Sequence, residues 1–196
     1  MNAMSKRGVA VVALLIGLLL GNLTGFFAGV SSSKFGQDFV EGVFSEERAA
    51  DVANPQDLKR TGFSLQMPAN WKVDTKMDDY DPESYFSIDS PGKNSVTFLI
   101  YDMETEPKEN VDEQVKSYTL EYMKKATRTP FKKWGRYNGY GIELKGRVMG
   151  IDSGRIRIFS YSNEKKSFVV TELYSEDDIA NTQPGFQKIE STFKLN

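Results

Sequence analysis

The sequence predicts an α+β fold, an antiparallel sheet flanked by helices, standing behind a single N-terminal transmembrane helix. Three observations carry this. Alternating or continuous apolar stretches recur between Phe63 and Tyr174, as strands require. Residues at helical spacing interrupt and close them: Val111, Val115, Tyr118 and Tyr122, then Phe186, Ile189 and Phe193. An uncharged run from Val9 to Val30 precedes all of these. The order strands, helix, strands, helix suits a sheet covered by helices.

The 22 uncharged positions of 9–30 would extend about 33 Å as a helix, enough for a hydrocarbon core of about 30 Å. Lys6 and Arg7 precede the run and only Lys34 follows closely, so the positive-inside rule keeps residues 1–8 in the cytoplasm and exports the rest. Residues 9–30 are thus expected to be a transmembrane helix or uncleaved signal anchor in a cell membrane. The rival is a cleavable signal peptide with Val9–Leu20 as its apolar centre, which would leave a secreted domain. The loose Val30-Ser31-Ser32 site lacks an A-x-A pattern. Gly17, Gly21, Gly25 and Gly29 form an in-phase small-residue stripe that lets two helices approach closely, and Asn22 can add a hydrogen bond across the pair. The stripe predicts a homodimer or pairing with another membrane protein.

Residues 31–60 read as a connector. Phe35, Phe39 and Val43 recur every fourth residue, which predicts a short amphipathic helix or a stalk element. The folded domain is placed at 61–196. Its first strand is Phe63–Met67, and Pro68-Ala-Asn70 turns the chain into Trp71–Val73. Tyr85–Ile88 follows. Val96–Tyr101, apolar almost throughout, is expected to be a central strand. A helix should start at Asn110 as N-cap with Glu113 three residues on. Three long strands come next, at 139–149, 155–162 and 167–174. Hairpin turns at Gly150–Gly154 and Asn163–Lys166 join them into an antiparallel meander. The closing helix is expected from about Pro184, since proline suits a first turn.

Phe63-Ser-Leu-Gln-Met-Pro-Ala-Asn-Trp71, Phe168-Val-Val-Thr171 and Phe186-Gln-Lys-Ile-Glu-Ser-Thr-Phe193 together resemble the opening strand, meander and last helix of the PsbP-like domain family. That family includes photosystem PsbP and DcrB-like bacterial envelope proteins. The resemblance covers roughly residues 60–196 and implies an α/β/α sandwich serving binding or assembly, with no shared catalytic site. It also implies an envelope location. The chain departs from lipoprotein members by lacking a lipidated cysteine, and from some photosystem members by lacking metal-binding histidines.

The 196 residues contain no cysteine and no histidine. Thiolate nucleophiles, disulfides, and the commonest general base and metal ligand are therefore excluded. A non-enzymatic protein without a cofactor is expected; a hydrolase would need two carboxylates converging in a cleft. Beyond Lys34 the chain carries 22 positive against 27 negative charges, a net of −5, which argues against nucleic acid as a partner.

Charge is segregated along the chain. From Asp74 to Glu121 there are thirteen acidic residues and four lysines; from Lys124 to Arg157 there are ten basic residues against Glu143 and Asp152. In the acidic block, Asp78, Asp79, Asp81 and Glu83 present carboxylates suited to Ca²⁺ or Mn²⁺, though without the glycine and glutamate of an EF-hand loop. This is the metal-binding alternative. In the basic block, Lys124, Lys125, Arg128, Lys132, Lys133 and Arg136 surround Phe131 and Trp134 on an expected loop. Such a surface suits an anionic envelope component or an acidic protein. Arg155 and Arg157 should share one sheet face with Phe159 and Tyr161, as a salt-bridged layer or a half-exposed sheet.

Overall fold

The structure, a computed structural model, describes residues 49–92, 94–121, 123, 125–148 and 152–196. The expected transmembrane segment with its glycine stripe, and the connector up to residue 48, lie outside the described residues. Among the described residues no helix is long and apolar enough to cross a membrane.

Among the described residues, ten strands form two antiparallel sheets. β1 (Gln56–Lys59), β2 (Phe63–Met67) and β10 (Lys194–Leu195) make a small sheet in the order β1-β2-β10. The large sheet holds β3 (Lys72–Asp74), β4 (Tyr85–Asp89), β5 (Ser95–Tyr101), β6 (Thr127–Trp134), β7 (Tyr137–Val148), β8 (Asp152–Ser162) and β9 (Ser167–Ser175), in the order β3-β4-β5-β9-β8-β7-β6. Helix α1 (Pro107–Glu121) packs on β7, β8 and β9, and α2 (Ile179–Thr192) packs on β2 and β9. The fold is α+β.

Strand alternation divides the interior into two cores. In β8, Ile156 and Ile158 turn to the α1 side, with Val111, Val115 and Leu144. Phe159 turns to the other side, with Phe98, Phe168, Phe186 and Phe193. Phe63, Phe86, Phe98 and Phe193 stack in sequence, with centroid distances of 4.8, 5.0 and 5.1 Å. Each such burial contributes about 1.5–3 kcal/mol, so this aromatic column pins α2 and β2 to the sheet. β5 lies inside the sheet, with Val96, Phe98, Leu99 and Ile100 buried, as expected of a central strand.

Several boundaries differ from expectation. Residues 49–60 belong to the folded body. Gln56–Lys59 pairs with β2, and the Ala50 N–H donates to the Asn181 carbonyl at 2.9 Å. The α1 helix starts at Pro107, three residues before Asn110. The Glu106 carboxylate accepts the Lys108 N–H, while Asn110 Nδ2 bonds Thr105 and Ser160 from inside the helix. The turn expected at Gly150–Gly154 is shorter, because Gly154 already pairs with Gly146 in the ladder. Helix α2 starts five residues before Pro184, which lies inside it. Its first turn is held by Asp178, whose carboxylate accepts Asn181 Nδ2 and whose carbonyl accepts the Thr182 hydroxyl, both at 2.9 Å. The stripe of Phe186, Ile189 and Phe193 is buried as expected.

Candidate functional site

The basic block between residues 127 and 134 is a strand. Among the described residues, β6 is one edge of the large sheet, paired only with β7. Thr127 and Thr129 favour an extended backbone, and Pro130 is tolerated because the outer side of an edge makes no ladder bonds. The register slips between Phe131 and Lys133. Gly135, with φ +55°, then begins the two-residue hairpin loop to β7, where a type II′ turn calls for glycine.

This corrects the expectation of a loop and divides its residues. Trp134 is fully buried, so it is core and no contact residue. Phe131 is half-buried on the α2 side, its ring 4.8 Å from the Arg157 guanidinium carbon. Lys125, Arg128, Lys132, Lys133 and Arg136 are exposed, while Lys124 lies outside the described residues. Arg128 Nη2 donates to Thr119 Oγ1 at 3.2 Å. Among the described residues, Lys132, Lys133 and Arg136 have no ion-pair partner.

Behind this edge lies a buried polar network that sequence patterning shows only in part. The Glu172 carboxylate on β9 accepts Trp134 Nε1–H, the Tyr174 hydroxyl and Arg157 Nη1–H, each at 2.8 Å. Arg157 also approaches Glu190 at 3.4 Å and Glu143 at 3.8 Å. Arg155 Nε donates to Glu176 at 3.3 Å. Glu190 Oε1 accepts the Gly135 N–H at 2.9 Å, which ties the β6–β7 turn to α2.

Burial pushes Glu172 above its ordinary value, while Arg157 and the Trp134 N–H pull it back down. Burial opposes the charge on Arg157 most strongly, but Glu172, Tyr174 and Glu190 together outweigh it and the guanidinium is held charged. Tyr174 is pushed up by burial and by Glu172. The network opens into a cleft between α2 and the sheet, with Arg155, Gln183, Gln187 and Glu190 at its mouth. Its strongly perturbed groups are bonded to one another. The salt-bridged layer expected from Arg155 and Arg157 is therefore present.

In the acidic loop, two carboxylates bond to backbone N–H groups. Asp81 Oδ1 accepts the Glu83 N–H at 2.8 Å, and Glu83 Oε2 accepts the Thr61 N–H at 2.9 Å. Asp79 sits at φ 56°, a turn conformation that aspartate tolerates. Among the described residues no group of three His, Cys, Asp or Glu side chains is placed to hold a metal ion, and Asp78, Asp79, Asp81 and Glu83 are exposed.

No family model and no curated protein matches the sequence. Among solved structures, it is similar to cyanobacterial PsbP from Synechocystis sp. PCC 6803, at 12% identity and a TM-score of 0.48, over 74% of this chain and 94% of that one. It is also similar to LpqN, involved in cell envelope biogenesis of Mycobacterium tuberculosis, at 9% identity and a TM-score of 0.43, over 73% and 90%. A third is a protein from Bacteroides thetaiotaomicron VPI-5482, at 12% identity and a TM-score of 0.43, over 68% of this chain and 45% of that one. The chain thus spans less than half the length of the Bacteroides protein. PsbP is thus among the structures this chain resembles.

Proposed function

We propose that this chain is a single-pass, membrane-anchored binding or assembly protein whose domain stands outside the cytoplasm. It performs no catalysis, and its contact surface is the basic edge formed by β6. The observation that carries this is the set of exposed cations at Lys132, Lys133 and Arg136, unpaired among the described residues, on a free sheet edge. Edge strands use lysine, proline and bulges to block strand addition, and β6 has all three. The edge therefore meets its partner through side-chain charge, which suits an acidic protein or an anionic envelope component. The non-catalytic reading is supported by the saturation of Glu172, Arg157 and Tyr174 by one another. The uncharged run of 9–30 supports the anchor, and the Gly17–Gly29 stripe supports pairing of two such anchors.

The test is charge reversal. The variant K132E/K133E/R136E should keep its far-UV circular dichroism and lose the adducts that the wild-type chain forms when crosslinked in its native membranes. Unchanged adducts would remove the basic edge from the proposal.

A further inference from the structure

A charge gradient runs along the solvent side of α1, whose own last turn holds no basic residue, into the chain just beyond its C-terminal end. Glu104, Glu106 and Glu109 are exposed at its N-terminal end, with Asp112 and Glu113 half-exposed behind them. Lys108 is the cation there, and its ammonium is bound to Asp112. At the other end stand exposed Lys125 and Arg128. Among the described residues the exposed large hydrophobic side chains are Met103 and Leu120, each at 62%. Met103 precedes the acidic end, and Leu120 lies at the basic one. Between them a shallow concavity runs along the helix, lined by acidic residues and by Lys108 and Lys116.

We propose that this face docks a second copy of the chain, with the two α1 helices antiparallel about a two-fold axis. A surface that is acidic with an exposed methionine at one end, and basic with an exposed leucine at the other, is self-complementary under a two-fold. The pairing brings Met103, Glu104 and Glu109 of each copy to Leu120, Lys125 and Arg128 of the other, and Glu113 of each to Lys116 of the other. It removes both exposed apolar side chains from water and neutralises the two charged ends together. A copy of the same chain is the partner chosen because each end already supplies what the other lacks. Lys125 and Arg128 also belong to the basic edge discussed above, whereas Lys132, Lys133 and Arg136 take no part here. The two proposals therefore fail separately.

The chain has no cysteine, so one introduced thiol is unique. Full-length E113C, in membranes, should give a crosslinked dimer with a short thiol-specific bifunctional reagent. The same thiol at K72C, on the far edge of the sheet, should not. Adding K125E/R128E should lower the E113C dimer at least about fivefold, as should salt at about 0.5 M, which screens exposed charges. Adding E104K/E109K to that same chain reverses both ends and should restore the dimer. Three results would overturn the proposal: no dimer from E113C; a dimer indifferent to reversal, as pairing through the N-terminal segment alone would give; or a loss that the second reversal does not restore, as docking of a different acidic protein would give.

Discussion

Glu172 is bound by an indole, a phenol and a guanidinium, and a change there strands two buried donors and takes from Arg157 its shortest ion pair. Glu172→Ala should cost about 3–5 kcal/mol, the penalty of breaking a buried pair from one side. Trp134→Phe, which strands only one acceptor, should cost about 1–3 kcal/mol. Urea unfolding followed by circular dichroism distinguishes these outcomes. Asp89 behaves differently. Burial pushes it from 3.8 up to about 6, with the Ser87 hydroxyl bond at 3.0 Å pulling it down and Asp74 pushing it up. The folded protein therefore holds a proton over an interval in which the unfolded chain has released it. Stability should fall as pH rises from about 4 to about 6 and level off above, by up to about 3 kcal/mol at 1.36 kcal/mol per pKa unit. Asp89→Asn should abolish that slope in unfolding measured at pH 4, 5, 6 and 7. The facing of Arg155 and Arg157 was legible in the sequence, because strand alternation is local. Their partners were not, because Glu143 and Glu172 arrive from β7 and β9, and Glu190 from α2.

Among the elements, β6 was the hardest to foresee. Its cations and Pro130 suggest a loop, yet one buried side chain, Trp134, and pairing along a single side suffice to hold an edge strand. Gly135 sets the hairpin that places it. A Cβ there would lie 2.2 Å from the Glu190 carbonyl oxygen, at a φ that L residues rarely adopt. Gly135→Ala should therefore lower stability by at least about 2 kcal/mol, visible as a reduced thermal midpoint. The strands at 63–67, 85–89 and 95–101 were legible because alternating or continuous burial marks them. β1 and β10 were not, since Gln56–Lys59 buries only Leu58 and Lys194–Leu195 is two residues long.

Across the whole molecule, the charge segregation seen along the sequence survives folding only in part. Arg155 and Arg157 are drawn from the basic block into the network beneath α2, and Asp81 and Glu83 from the acidic block into turns. Among the described residues, the charges that stay on the surface include the outer edge of β6, the solvent side of α1 and the acidic loop at 78–83. A sequence block thus becomes a surface patch only where its charges find no partner in the fold. The central claim, that the edge of β6 is the contact surface, is tested most directly by a photocrosslinking residue placed at Lys132 of the full-length chain in its native membranes, and separately at Lys72 on the opposite edge, β3. The account predicts salt-sensitive adducts from position 132 and none from position 72. Equal adducts from both edges, or none from position 132, would contradict it.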